Sequence, residues 1–88
     1  MLPYQTKVML GGVQKLYRFE NGYGASVIKH MGSYGHEDGL WELAVIKWKE
    51  GTDEFALCYD TTITSDVVGY LTDDGVEKIL LEIEFYPL

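Results

Sequence analysis

The chain has 88 residues, of which 47% are hydrophobic, and a formal net charge of −7 at pH 7. This length fits a single domain, 1–88, and the apolar fraction excludes intrinsic disorder. The lone cysteine, Cys58, excludes the internal disulfide framework that is typical of small secreted domains. We expect no signal peptide and no membrane span, and therefore a soluble protein in a reducing cytoplasm.

The negative charge lies in the second half of the sequence. Residues 1–49 carry a net charge of +2, whereas residues 50–88 hold ten acids against Lys78 alone and carry −9. Because an acidic surface repels phosphates, direct nucleic-acid binding is not expected. The acidic part suits a basic partner surface, and it also suits a solvated face that keeps a small protein soluble.

Turn signals divide the first sixty residues into segments of strand length. The turns are marked by Gly11-Gly12, Asn21-Gly22, the span from Gly32 to Gly39, and Glu50 to Asp53. Strands are predicted at 5–10, 13–20, 25–31, 40–48 and 55–59. Because the connections are short, successive strands run antiparallel, and the sequence predicts a meander of four to five strands.

The segment LWELAVIKW at 40–48 is apolar on both faces. Trp41, Leu43 and Val45 share one face, and the other face carries Leu40, Ala44, Ile46 and Trp48. A strand that is covered on both sides belongs in the interior of a sheet. We therefore place it at the sheet centre.

Residues 60–86 are predicted to be helical. Thr64, Ser65 or Asp66 would cap a short helical turn over 67–71, and Thr72 would cap a second helix. The second helix has an apolar stripe at Val76, Ile79, Leu80 and Ile83. Alternation at Ile79, Leu81, Ile83 and Phe85 leaves a strand as the alternative. The predicted fold class is α+β: an antiparallel sheet with C-terminal helices packed on one face.

The stretch SYGHEDGLWEL at 33–43 is the first candidate for chemistry. His36, Glu37 and Asp38, with His30 nearby, are residue types that ligate zinc or a related ion. Neighbouring side chains on a strand point in opposite directions, however, and three glycines favour a turn. We interpret the stretch as a pliable, water-facing polar loop, with no metal or cofactor expected.

Cys58 is the second candidate for chemistry. With a histidine and Asp60 it would form a nucleophile, a base and an orienting carboxylate. The surrounding strand is apolar and shows no nucleophile motif, so we interpret Cys58 as a small hydrophobic residue.

Three motifs of this sequence resemble a family of short bacteriophage and prophage proteins. They are NGYGASV at 21–27, SYGHEDGLWELAV at 33–45 and CYDTTITSDVVGYLT at 58–72. The family has no assigned chemistry. The resemblance therefore implies a phage origin and the host cytoplasm as the setting, but no active site.

The leading hypothesis is a non-enzymatic phage accessory protein that binds a host or phage protein, for example as an inhibitor of a host factor or defence system. The candidate binding residues are loop tyrosines, which are common at binding hot spots, and polar residues near them or at the helix start: Tyr23, Tyr34, His36, Glu37, Asp38, Asp66, Asp73 and Asp74.

Two alternatives remain open. One is a small metal-dependent or cysteine-based enzyme that uses His30, His36, Asp38 and Cys58. The other is a self-associating structural protein, in which the second apolar sheet face forms a homodimer interface.

Overall fold

The computed structural model describes residues 1–9, 11–64 and 66–87. In chain order its elements are β1 (Gln5–Met9), β2 (Gly12–Arg18), β3 (Tyr23–Lys29), a 3-10 turn (His36–Asp38), β4 (Trp41–Trp48), β5 (Phe55–Leu57), β6 (Val68–Leu71) and α1 (Asp73–Glu84). All strand pairs among these elements are antiparallel. The predicted α+β class with an antiparallel sheet is confirmed, with one α-helix in the described residues instead of several.

The first five strands lie side by side in chain order, as in a meander. β6 departs from this order because it also pairs with β4, at Trp41↔Leu71 and Leu43↔Val68. β5 pairs with the other half of β4, over Ile46–Trp48. β5 and β6 therefore share one edge of β4, β3 occupies the other edge, and β4 is the central strand, as the sequence predicts.

The predicted helical turn over 67–71 is wrong, because Val68–Leu71 forms strand β6. Within the described residues of the predicted helical segment 60–86, only Asp73–Glu84 is α-helical. The reason is tertiary: β5 is too short to pair along all of β4, and the free backbone N–H and C=O groups of a central strand need partners. Two residues with predicted roles, Leu10 at a strand end and Ser65 as a helix cap, lie outside the described residues.

Helix α1 begins where the sequence predicts. Thr72 is its N-cap, and the Oγ1 of Thr72 accepts a hydrogen bond from the backbone N–H of Gly75 at 3.1 Å. Its buried residues, Val76, Leu80 and Ile83, join a core cluster that also contains Tyr17, Ala25, Val27, Trp41, Leu43 and Val45. The register of β2 to β4 places these six strand residues on one side of the sheet. The alternative of a strand over 79–85 is wrong.

A smaller cluster lies on the other side of the sheet. It consists of Leu16, Ile46 and Trp48, with Phe55 packed against them. The Trp48 ring is 4% exposed, and its indole N–H donates to the backbone carbonyl of Tyr17 at 2.9 Å. The guanidinium of Arg18 lies 4.7 Å from the centroid of the same ring. Phe55 and Arg18 thus contact the cluster around Trp48 on the second apolar face of β4.

Within the described part of the chain, no helix has the length and apolar character needed to cross a bilayer.

Candidate binding surface

The loop between β3 and β4, predicted to be pliable, is held by hydrogen bonds among its own residues. The backbone N–H and the hydroxyl of Ser33 both donate to the carbonyl of His30, at 3.0 and 2.8 Å. The N–H of His36 donates to the carbonyl of Ser33 at 3.2 Å. Gly35 and Gly39 flank the 3-10 turn with φ of 91° and 70°, a region that suits glycine because it lacks a Cβ. The loop therefore has a defined geometry.

Strand β6 packs against this loop. The backbone N–H of Tyr70 lies 3.5 Å from the carbonyl oxygen of Tyr34. A Cβ on Gly69 would lie 2.6 Å from the Cβ of Tyr34, and a Cβ on Gly35 would lie 3.1 Å from the Cα of Tyr70. The two glycines thus allow the loop and the strand to approach closely, and this approach brings Tyr34 and Tyr70 to one surface.

We call Met31, Tyr34 and Tyr70 together the tyrosine surface. Their exposed fractions are 69%, 59% and 63%, and all three line one cavity of about 430 Å³. Single exposed apolar side chains are ordinary, but several large ones around one depression are typical of an interaction site.

Tyr70 adopts a backbone conformation that is unfavourable for tyrosine. Its φ is 56°, and it is the one non-glycine residue with positive φ in the described part of the chain. The left-handed region costs a residue with a Cβ about 1–2 kcal/mol. Because the ring is mostly exposed, burial does not offset this cost. Strained residues cluster at functional sites, so the conformation makes Tyr70 a candidate binding residue.

Tyr70→Gly is expected to raise the free energy of unfolding by about 0.5–1 kcal/mol, because glycine removes the strain at little loss of buried area. Urea unfolding followed by circular dichroism measures this change. Tyr59, 42% exposed and without a positive φ, gives the matched control. Tyr59→Gly is expected to lower stability, since glycine gains entropy in the unfolded chain. Equal losses in both variants would contradict strain at Tyr70.

Acidic groups surround the tyrosine surface. A carboxylate oxygen of Glu42 accepts a hydrogen bond from the backbone N–H of Tyr34 at 3.1 Å. Glu37 and Asp38 are exposed in the adjoining 3-10 turn, and Glu37 lines the same cavity. The surface therefore combines exposed aromatic rings with negative charge.

The structure brings half of the predicted binding residues together. Tyr34, His36 and Glu37 line the cavity of the tyrosine surface, and Asp38 lies in the same 3-10 turn. Tyr23 lies at the other end of the β3–β4 pair, in a separate cavity.

The three remaining predicted residues lie outside the tyrosine surface. Asp73 accepts a hydrogen bond from the indole N–H of Trp41 at 2.7 Å, and Asp66 accepts one from the backbone N–H of Val67 at 2.7 Å. Asp74 is exposed in the first turn of α1. These contacts give Asp66 and Asp73 structural roles.

Met31 and Tyr70 also belong to the tyrosine surface, although no sequence pattern predicts them there. The sequence predicts a helical turn at Tyr70, whereas its contact with Tyr34 depends on the pairing of β6 with β4. Gly69 was the only local signal, because a glycine within a strand often marks a close backbone approach.

Cys58 lies in a cavity with Tyr23, Lys47 and Asp60, whereas both histidines belong to the loop at the opposite end of β3 and β4. Its thiol donates to a carboxylate oxygen of Asp60 at 2.9 Å. Burial, and after it this hydrogen bond, raise the pKa of the Cys58 thiol. Since the thiolate is the nucleophilic form, the raised pKa lowers the reactivity of Cys58 at neutral pH.

Native Cys58 is expected to react with iodoacetamide at pH 8 several-fold more slowly than Cys58 in the urea-unfolded chain. The folded-state pKa is raised, so the thiolate forms at higher pH in the native protein. Asp60→Asn is expected to speed native labelling, because it removes the carboxylate that stabilises the protonated thiol. Asp66→Asn, an equal change of charge at an exposed residue, is the control. Equal rates in the two variants would contradict the role of Asp60.

Among the described residues, no three His, Cys, Asp or Glu side chains are grouped closely enough to hold a metal ion. No family model matches this chain, and neither a curated protein nor a solved structure matches it.

Proposed function

We propose that this chain is a non-enzymatic protein-binding module that contacts its partner through the tyrosine surface. The observation that carries the proposal is the strained, exposed Tyr70 beside the exposed Tyr34 and Met31. Tyrosine and methionine are enriched where protein interfaces are most buried, and tyrosine is common among residues that dominate binding energy.

The charge around the surface favours a partner with basic side chains. Glu37, Asp38 and Glu42 lie at or beside the two tyrosines, and residues 50–88 carry a net charge of −9. Complementary charge accelerates association and selects among partners. The motifs that resemble phage proteins support a phage accessory protein that acts in the host cytoplasm on a host or phage protein, such as a factor of a defence system.

Site-specific crosslinking tests the proposal. A photoreactive phenylalanine replaces Tyr34, Tyr70 or, as the control, Tyr59, and each protein is irradiated in a lysate of infected cells. Positions 34 and 70 are expected to crosslink to the same protein, and position 59 is not.

The affinity for that captured protein provides the quantitative test. Tyr34→Ala and Tyr70→Ala are each expected to weaken binding by about tenfold or more, the effect of a hot-spot residue. Tyr59→Ala is expected to leave the affinity unchanged. Full affinity in both Tyr34→Ala and Tyr70→Ala, with the fold intact, would exclude the tyrosine surface as the binding site.

A further inference from the structure

A separate cavity lies where the first turns of α1 meet the sheet. Its volume is about 360 Å³, and its lining includes Lys15, Tyr17, Val27, Lys29, Trp41 and Val76. Four of these six side chains, those of Tyr17, Val27, Trp41 and Val76, are buried and give it an apolar floor. The volume of this cavity lies within the range of small-molecule sites.

Two ammonium groups converge on this floor. The Nζ of Lys29 lies 4.2 Å, and that of Lys15 4.7 Å, from the centroid of the Trp41 ring. The ion pairs of the described residues involve the Met1 amino group, Arg18 and Lys49, and neither of these two lysines. Two positive charges therefore lie over one ring, and neither forms an ion pair within the described residues, although like charges repel at this range.

Tyr17 is a third polar residue of this cavity, and its hydroxyl has no hydrogen-bond partner among the described residues. Tyr17 is 4% exposed and lines the cavity, and its hydrogen bonds within the described residues involve only its backbone. Burial, with a smaller effect of Glu77, raises the pKa of Tyr17. The hydroxyl therefore stays protonated and available as a donor.

The carboxylates on the helix side of the cavity already accept hydrogen bonds. Asp73 accepts from the indole N–H of Trp41 at 2.7 Å, and Glu77 accepts from the amino group of Met1 at 2.7 Å. The two ammonium groups and the phenol, which have no hydrogen-bond partner within the described residues, are donors. Such a set suits an oxyanion, because lysine ammonium groups form strong, charge-assisted hydrogen bonds to phosphate and carboxylate oxygens.

We propose that this cavity binds the phosphate or carboxylate group of a small organic molecule, held by Lys15, Lys29 and the Tyr17 hydroxyl. The apolar part of the ligand lies against Trp41 and Val27. The site does not involve the tyrosine surface, so the two proposals stand or fall independently.

The two indole N–H groups provide the readout in ¹H–¹⁵N NMR spectra. The indole of Trp41 is at the proposed site, whereas that of Trp48 lies on the other side of the sheet. Phenyl phosphate and benzoate are the probes, each titrated at constant ionic strength, and they distinguish a phosphate ligand from a carboxylate ligand. At least one probe is expected to shift the Trp41 signal saturably and leave the Trp48 signal in place.

Lys15→Gln and Lys29→Gln are each expected to weaken binding about tenfold, the usual effect of losing one hydrogen bond to a charged group. Lys7→Gln removes the same charge from an exposed residue of β1 and is expected to have no effect. Tyr17→Phe, which preserves the ring, is expected to weaken binding several-fold, and it serves as the test if a lysine variant fails to fold. Shifts that do not saturate, equal shifts of both indoles, or an equal loss in Lys7→Gln would overturn the proposal.

Discussion

Leu80→Ala is expected to lower the free energy of unfolding by about 3 kcal/mol, within the range measured for buried leucines. Leu80 has no exposed surface and lies in the cluster that joins α1 to the sheet. Truncation removes apolar contacts and leaves a cavity that the central strands cannot close. Small domains have a total stability of about 5–15 kcal/mol, so the variant would lose a large share of it. Equilibrium urea unfolding, with an unchanged m-value, measures the loss.

The next residue of the same helix gives the control. Leu81 is 46% exposed, and Leu81→Ala makes the same chemical change with the same effect on helix propensity. Its cost is expected to stay below about 1 kcal/mol, because little apolar area leaves the protein interior. Equal losses in the two variants would contradict the packing of α1 against the sheet through Leu80.

The elements that local sequence signals specify were predicted well. The glycine turns predict the ends of the first five strands to within about two residues of their observed positions. This is the uncertainty expected for element boundaries. Thr72 predicts the start of α1, and the apolar stripe predicts its buried face. Both signals act within a few residues of the chain. The alternation over 40–48 identified β4 as central, since burial on both faces is encoded in the strand itself.

The features that depend on distant partners were not predicted. Val68–Leu71 carries a capping signal before it, yet it forms a strand because the central strand β4 offers it an edge. The same pairing brings Tyr70 to Tyr34, so the tyrosine surface could be predicted only on its loop side. Lys15 and Lys29 meet over Trp41 because of the register of β2, β3 and β4, and no sequence window contains all three.

The second core cluster, around Trp48, depends on a close approach between β2 and β3 at Gly24. The variant Gly24→Ala tests this approach. A Cβ on Gly24 would lie 1.9 Å from the carbonyl oxygen of Tyr17 and 2.6 Å from the indole nitrogen of Trp48. The carbonyl belongs to the paired strand β2, so no side-chain rotation relieves the contact. β2 and β3 must separate, and Trp48 must lose its 2.9 Å hydrogen bond to the same carbonyl. We expect a loss of about 3 kcal/mol or more, at the upper end for overpacked interiors.

Gly75→Ala is the control for Gly24→Ala, because its new Cβ would meet only side-chain atoms. The nearest are the Cδ2 of Leu71 at 3.3 Å and the Oγ1 of Thr72 at 3.4 Å, and the first is the movable end of a side chain. Its effect is expected to lie within about 1 kcal/mol of zero, since alanine's higher helix propensity offsets the tight contact. Urea unfolding followed by tryptophan fluorescence compares the two variants. Wild-type stability in Gly24→Ala would mean that the Trp48 indole does not lie beside Gly24. It would also contradict the hydrogen bond from this indole to the Tyr17 carbonyl.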